Sequence, residues 1–195
     1  MGVKSKIVLI LRNEKGEKEK EIVQEGKTIV KNFLAIYEQI CKRAISGEHA
    51  SFVDVNGTVY DMHDYEYVYT PNRPQIALGG GSTPVSFTDY NLENNITGWQ
   101  NQEGYEYSYD EANFKGTFTF YRSFTFTSET TINEAGLAWG FRDSGSYNRL
   151  VMVDRIVLDT PITVPANRTL DVKYILEIGK VWGGVNEMCR LWALC

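Results

Sequence analysis

The sequence has few of the residues that build metal sites and disulfide frameworks. Its 195 residues include three cysteines and two histidines. Cys41, Cys189 and Cys195 form no CxxC pair, so their spacing predicts neither a zinc site nor a disulfide framework. We expect free thiols, with a Cys189–Cys195 bridge as the alternative. Asp61 and His63 can share a strand face, but no second histidine is spaced to join them. We therefore expect no metal and no cofactor.

Positive charge and long apolar runs are also scarce. There are 25 acidic and 20 basic residues, which gives a formal net charge of −5 and a pI near 5.2. Proteins that bind nucleic acid usually present a basic face to the phosphates, so we expect no nucleic-acid partner. No run reaches the roughly 18 apolar residues that a spanning helix needs. Met1–Ile10 leads into a charged turn rather than a cleavage site, so we predict no secretory signal and no membrane insertion.

The sequence lacks the patterns that common enzyme sites require. Gly79–Gly81 precedes Ser82–Pro84, whereas a phosphate-binding loop needs GxxxxGK[ST]. Cys41 lies on the apolar stripe of a predicted helix, which is typical of a small core residue rather than a nucleophile. No pair of acidic residues forms a pattern typical of glycoside hydrolysis. We predict that the protein is not an enzyme and has no catalytic residues.

Aromatic residues are abundant, and they alternate with polar ones. Aromatics make up 13% of the chain, and in Gly116–Thr127 Phe alternates with Thr over most of a long segment. This period of two is typical of a strand with one core face and one polar face. Short strands separated by turns predict an antiparallel β-sandwich of the jelly-roll kind over 51–179. Pro161 and Pro165 bracket a short segment that suits an edge strand, since proline cannot donate to a ladder.

The first 50 residues predict a hairpin and one helix packed on that sandwich, in the same single domain. Lys6–Leu11 and Glu19–Val23 flank a turn and form the hairpin. Over Thr28–Ile45 apolar residues recur every three or four positions, which predicts the only amphipathic helix of the chain. Asn56–Gly57, between two short apolar segments, is the strongest signal for a second hairpin.

Two further segments predict structural devices. Glu134 precedes an apolar segment, and its carboxylate is placed to accept hydrogen bonds from backbone N–H groups. Gly79–Gly81 predicts a tight bend in conformations open only to glycine. Thr88–Leu92 suggests a helical turn in which Tyr90 and Leu92 cap the core.

Tyrosines alternate strictly in two segments. Tyr65, Tyr67 and Tyr69 form one cluster, and Tyr105, Tyr107 and Tyr109 form another. Amphipathic rings of this kind give large contact areas at low entropic cost. Three interpretations stay open: packing inside the protein, a contact between subunits, and stacking on sugar rings.

The last stretch of the chain, 180–195, is more apolar than a free tail normally is. Its large apolar residues are Val181, Trp182, Met188, Leu191, Trp192 and Leu194. Two interpretations stay open here. The segment is either a final element packed on its own core or an arm that buries these groups against a neighbouring subunit. With the first tyrosine cluster, it supplies our candidate interface residues: Tyr65, Tyr67, Tyr69, Trp182, Met188, Leu191, Trp192 and Leu194.

Four motifs follow one another along the chain: IVKNFLAIYEQI, IALGGGSTPVSFTDYNLENNI, TINEAGLAW and LVMVDRIVLDTPITVPANRTLDVKYILEI. Their order resembles that of a family of virion structural proteins from tailed phages and from viruses of hot-spring archaea. The resemblance covers roughly Lys4–Ile178, and 179–195 looks particular to this chain. It implies a jelly-roll or sandwich protein that decorates, caps or projects from a particle, and it supplies no active site.

The resemblance therefore leads us to expect a virion structural protein that is capsid-associated or part of a turret, spike or tail. It would be assembled in the host cytoplasm, and its partners would be copies of itself and other virion proteins. The alternative is a receptor- or glycan-binding module of a spike or tail fibre, which would bind a host-surface glycan or receptor through its tyrosine rows and the loops near Asn94–Gln102.

Overall fold

The computed structural model describes residues 2–27, 30–35, 50–61, 74–142 and 148–179. Within these ranges the chain is mainly β, as the alternating sequence predicted, and all pairings between the named strands are antiparallel. Of the helix predicted over 28–45, residues 31–35 are helical and residue 30 is not, while positions 28, 29 and 36–45 lie outside the described residues. No helix in the described ranges is long and apolar enough to cross a membrane.

The strands are numbered in chain order. They are β1 (Gly2–Arg12), β2 (Lys18–Glu25), β3 (Ser51–Val53), β4 (Val59–Asp61), β5 (Gln75–Gly79), β6 (Gln100–Asn101), β7 (Gly104–Asp110), β8 (Lys115–Phe126), β9 (Thr130–Arg142), β10 (Asn148–Val164) and β11 (Arg168–Gly179).

Five strands form sheet A, in the order β2-β1-β11-β8-β7. The first and last strands pair along their whole length, from Gly2 opposite Gly179 to Arg12 opposite Thr169. The predicted N-terminal hairpin is confirmed, since β1 and β2 pair around a turn with Gly16 at a φ of 79°. This hairpin is therefore an integral part of sheet A.

Four strands form sheet B, in the order β10-β9-β5-β6. The predicted edge strand is confirmed, because Pro161 lies in β10 at the edge of the sheet, within a register irregularity between Val157 and Ile162. Strands β3 and β4 form a separate hairpin. Its turn has Gly57 at a φ of 82°, and Asp54 Oδ1 accepts the N–H groups of Asn56 and Thr58, as the Asn-Gly signal predicted.

Side chains of both large sheets form one hydrophobic cluster. Alternate residues of strands such as β1 and β11 point into it, which is the structural counterpart of the period-two pattern. Sheet A contributes, among others, Ile7, Leu9, Phe120, Phe124, Leu170, Val172, Tyr174 and Leu176, and sheet B contributes Ile76, Leu78, Ile132, Leu137, Val153 and Ile156. The two sheets thus share a core, and charged groups inside it require partners.

The segment after β5 differs from its prediction in three ways. Residues 88–92 are turn and bend rather than helix. Leu92 is buried as predicted, but Tyr90 is 44% exposed and does not cap the core. None of Gly79–Gly81 has a positive φ, so glycine is needed there for a different reason, which is the close approach of neighbouring atoms.

Candidate functional site

Glu134 is a fully buried carboxylate in β9 that holds the segment after β5 against sheet B. Its Oε1 accepts hydrogen bonds from the backbone N–H groups of Gly81 at 3.0 Å and Asn94 at 2.9 Å. Its Oε2 accepts the N–H of Glu93 at 3.2 Å. The predicted role of Glu134 as an acceptor of backbone N–H groups is therefore confirmed.

The glycine run makes room for this carboxylate. A Cβ on Gly79 would lie 2.5 Å from Glu134 Oε1 and 2.6 Å from the carbonyl oxygen of Asn94. A Cβ on Gly81 would lie 2.6 Å from the same Oε1. Any larger residue would push the segment away from Glu134, so these glycines are needed for close approach.

Replacing Gly79 with alanine should therefore destabilise the protein, by about 1–3 kcal/mol for an overpacked site. The added methyl group meets a backbone oxygen and a carboxylate that have no room to move. Urea unfolding measures the loss. Gly104→Ala is the matched control, because the Cβ added there lies 3.8 Å from Tyr121, an ordinary contact. Equal stability of the two variants would contradict this account.

Arg155 in β10 is the cation that balances the charge of the buried Glu134. Its Nε donates to Glu134 Oε2 at 2.7 Å, and its Nη1 donates to Asp89 Oδ2 at 2.7 Å. Its Nη2 lies 3.7 Å from a carboxylate oxygen of Glu93. Burial alone would lower the pKa of Arg155, but the hydrogen bonds to Asp89 and Glu134 outweigh it and raise the pKa. We call Asp89, Glu93, Glu134 and Arg155 the Arg155 network.

The Arg155 network is arranged for structure rather than for proton transfer. Both oxygens of Glu134 accept hydrogen bonds from N–H donors, and its side chain has no exposed surface. A carboxylate buried in this way is out of reach of a substrate. The network instead ties residues 81–94, which contain no regular strand or helix, to the edge of the core.

A second buried carboxylate links the two sheets. Asp154 lies in β10 of sheet B, and its Oδ2 accepts a hydrogen bond at 2.7 Å from the hydroxyl of Tyr174 in β11 of sheet A. Burial raises the pKa of Asp154 to about 7, although hydrogen bonds from Ser5 and Tyr174 act in the opposite direction. The neutral acid is therefore populated close to neutral pH.

Neither Glu134 nor Asp154 lines one of the two surface grooves of the described residues. A groove of about 460 Å³ is lined by Ser5, Gly26, Leu34 and Phe87 among others, and Asp154 lies behind Ser5 rather than in its wall. A second groove, of about 400 Å³, is lined mainly by Thr, Ser and Phe side chains around Arg122. Neither groove has convergent acids in its wall.

The exposed feature with the most distinctive chemistry is an aromatic row on β7. Tyr105, Tyr107 and Tyr109 are 70%, 56% and 53% exposed. Tyr105 lies opposite Phe120 of β8 and Tyr107 lies opposite Phe118. Because directly opposed residues share a face, the row continues the core-facing side of sheet A beyond the part that sheet B covers. The rings of Tyr107 and Phe118 are 4.8 Å apart.

The structure places only part of what the sequence singled out. The candidate interface residues Tyr65, Tyr67, Tyr69, Trp182, Met188, Leu191, Trp192 and Leu194 lie outside the described residues. The second tyrosine cluster is described, and it is exposed rather than packed inside. Sequence reasoning missed Asp154 and Arg155 as buried charges. Their position within the apolar run 150–158 was a signal, since charged residues are rarely buried without partners.

Comparisons with known proteins add no assignment. No family model matches the chain, and no curated protein or solved structure matches it. In the described ranges, no group of three or more His, Cys, Asp or Glu side chains is placed to hold a metal ion. The function of the protein must therefore be argued from the buried networks and the aromatic row.

Proposed function

We propose that this chain is a virion structural protein that acts through protein–protein contacts, as a capsid-associated, turret, spike, decoration or tail component. Its partners are copies of itself and other virion proteins. It is assembled in the host cytoplasm and resides in the particle. The single observation that carries the proposal is the aromatic row, a set of large rings on the core-facing side of a sheet that nothing in the described ranges covers.

The energetics of this surface support a contact rather than a solvent-facing role. Soluble monomers seldom expose contiguous apolar patches without a function, and Tyr is enriched where proteins meet. Phe114, which is 57% exposed, follows the end of the row in the turn between β7 and β8. The buried acids, in contrast, are occupied by the fold, so the chemistry of this protein is concentrated on its surface.

The finer architecture is part of the same proposal. We infer that sheets A and B are the two layers of a sandwich, because both point side chains into one cluster. The jelly-roll connection and a complete N-terminal helix stay predictions. In the two large sheets, four pairs of consecutive strands are neighbours within one sheet: β1–β2, β5–β6, β7–β8 and β9–β10. A jelly-roll connection would have to be consistent with these four hairpin-like pairs.

The proposal is tested by locating the chain. Virus particles purified from cells that produce it should contain it in a fixed ratio to the other particle proteins, measured by quantitative mass spectrometry. Gold-labelled antibodies should mark intact particles. A chain found only in the soluble fraction of those cells would refute the proposal.

The apolar segment at the end of the chain gives a variant for the same experiment. Deleting Val181–Cys195 should leave a folded protein that no longer enters particles, since its Trp, Met and Leu side chains are expected to bury against a neighbour. Circular dichroism checks folding and particle mass spectrometry checks incorporation. Normal incorporation of the deleted chain would remove the arm interpretation.

The alternative function is binding of a host-surface glycan or receptor. The exposed ring faces of the aromatic row favour it, because aromatic rings can stack on sugars. Binding of the full chain to a glycan array, lost in Tyr105→Ala and kept in Tyr90→Ala, would support this function over the structural one. Tyr90 is the matched control because it is a similarly exposed tyrosine away from the row.

A further inference from the structure

The inference concerns the free edge of β7 and rests on the proposed function. Strand β7 is the last strand of sheet A, and in the described ranges no strand pairs with its outer edge. An edge strand of seven residues offers unpaired N–H and C=O groups to another strand. The aromatic row lies on this same strand, so hydrogen-bonding groups and apolar rings occur together.

We propose that β7 pairs antiparallel with β7 of a second copy, about a two-fold axis at Tyr107, so that the two copies form one continuous ten-stranded sheet. The sequence of β7, GYEYSYD, suits such pairing. Tyr107 lies opposite Tyr107 of the second copy, Tyr105 opposite Tyr109, and Glu106 opposite Ser108. All seven residues of each strand are paired, and no two like charges within the strand are directly opposed.

Charge excludes the neighbouring registers. Opposed residues must share a face, so the axis can move only in whole-residue steps along the strand. An axis at Glu106 places two Glu106 carboxylates directly opposite each other. An axis at Ser108 places Glu106 opposite Asp110. Like charges directly opposed destabilise a strand pair, so the register centred on Tyr107 is selected.

Like charges approach one another at two places in this register. Glu106 of one copy is a diagonal neighbour of Glu106 and Asp110 of the other copy, and a second pair of acids meets at the ends of the strands. Beyond the strand, Glu103 of one copy lies near Glu111 of the other. Glu103 accepts a hydrogen bond from the N–H of Ser123 and lies 3.3 Å from Arg122 Nη1. Because part of its charge is balanced by Arg122, the repulsion at the ends is weakened, and added salt should strengthen the pair.

Pairing would also bring the aromatic rows of the two copies together. A two-fold axis perpendicular to the sheet keeps the core-facing sides of both copies on one side. The two aromatic rows then merge into a patch of six tyrosine rings next to Phe118 of each copy. Such a closed, self-complementary contact gives a dimer rather than a filament.

Cysteine cross-linking tests the register directly. In the full chain, Tyr107→Cys should give a disulfide between the introduced thiols of the two copies under mild oxidation, identified by mass spectrometry of the linked peptide. Mixing Tyr105→Cys with Tyr109→Cys should give the mixed disulfide. Ser108→Cys is the negative control. Ser108 of one copy lies opposite Glu106 of the other, so the two introduced thiols are about two residues out of register and too far apart for a disulfide. The wild-type chain shows the background from its three native cysteines.

Light scattering after size exclusion tests the dimer itself. Wild-type protein should be dimeric, and Tyr107→Asp, which places two carboxylates at the axis, should raise the dissociation constant at least about tenfold. Val23→Asp is the matched control, because Val23 is half exposed on β2 at the opposite edge of sheet A, and it should leave the dimer intact. A monomeric wild type, or a dimer in which the Tyr107→Cys variant forms no disulfide between its copies, would overturn this pairing.

The two proposals fail separately. A chain that enters particles but shows no pairing at β7 would overturn the dimer and leave the proposed function standing. A chain that forms the predicted disulfide but is absent from particles would overturn the proposed function and leave the dimer standing.

Discussion

Replacing Glu134 with glutamine should cost about 3–5 kcal/mol of unfolding free energy, the usual range for breaking a buried ion pair. Glutamine has nearly the same shape, so it fits the space left by the glycines. Its NH₂ group, however, faces donors in either orientation. Arg155 Nε and the N–H of Glu93 point at one oxygen of Glu134, and the N–H groups of Gly81 and Asn94 point at the other.

The loss comes mainly from groups left without partners. Removing the charge leaves the Arg155 guanidinium buried with Asp89 as its remaining close acceptor. At least one backbone N–H loses its acceptor as well, and a buried unsatisfied donor costs about 1–3 kcal/mol. Because these groups belong to residues 81–94, we expect this segment to exchange its amide hydrogens faster in the variant.

Urea unfolding at neutral pH, with hydrogen exchange on residues 81–94, measures this prediction. The midpoint should fall while the slope with urea stays unchanged. Glu93→Gln is the matched control. Glu93 is half exposed and lies 3.7 Å from Arg155, so this variant should lose less than about 1 kcal/mol of unfolding free energy. If Glu134→Gln proved as stable as Glu93→Gln, the Arg155 network would not be what holds this segment.

Much of the strand pattern could be predicted from sequence, because it depends on local alternation. The hairpin predicted over Lys6–Leu11 and Glu19–Val23 is observed as β1 and β2. The long strand predicted over Gly116–Thr127 is observed as Lys115–Phe126. Period-two patterns and turn residues act over a few neighbours, so the sequence carries them directly.

Contacts between distant residues could not be predicted in this way. Arg155 meets Asp89, 66 positions earlier, and Glu134, 21 positions earlier, and nothing local relates these residues. The sequence did indicate that Glu134 accepts backbone N–H groups, but which N–H groups it meets depends on the sheet order.

The aromatic row illustrates a related limit. Alternation of Tyr105, Tyr107 and Tyr109 shows that they share a face, and the register shows that this face is the core side. Whether the rings are buried depends on how far sheet B extends, which no pattern within β7 encodes. The exposed fractions of the rings argue against packing inside the described part of the protein, while a contact between subunits and stacking on sugar rings both stay predictions.

Asp154→Asn should remove a pH dependence that the buried acid imposes on stability. The pKa of Asp154 is about 7 in the folded protein and about 3.9 in an unfolded chain. The folded state therefore holds this proton more tightly. The stabilisation is complete below the unfolded pKa and is lost as the pH rises through 7. At roughly 1.4 kcal/mol per unit, a shift of about three units amounts to about 4 kcal/mol.

The asparagine variant cannot ionise, and its amide oxygen can still accept the Tyr174 hydroxyl. We expect its stability relative to wild type to rise by up to about 4 kcal/mol between about pH 3 and pH 8, with roughly 2.5 kcal/mol of that rise between about pH 5 and pH 8, measured by urea unfolding at each pH. Comparing the two proteins cancels the effects of the other carboxylates. Tyr174→Phe is a second variant for the same experiment. It removes a hydrogen bond that lowers the pKa of Asp154, so the loss of stability caused by ionisation of Asp154 should occur at higher pH than in wild type. A pH-independent difference between Asp154→Asn and wild type would show that Asp154 stays charged between the sheets.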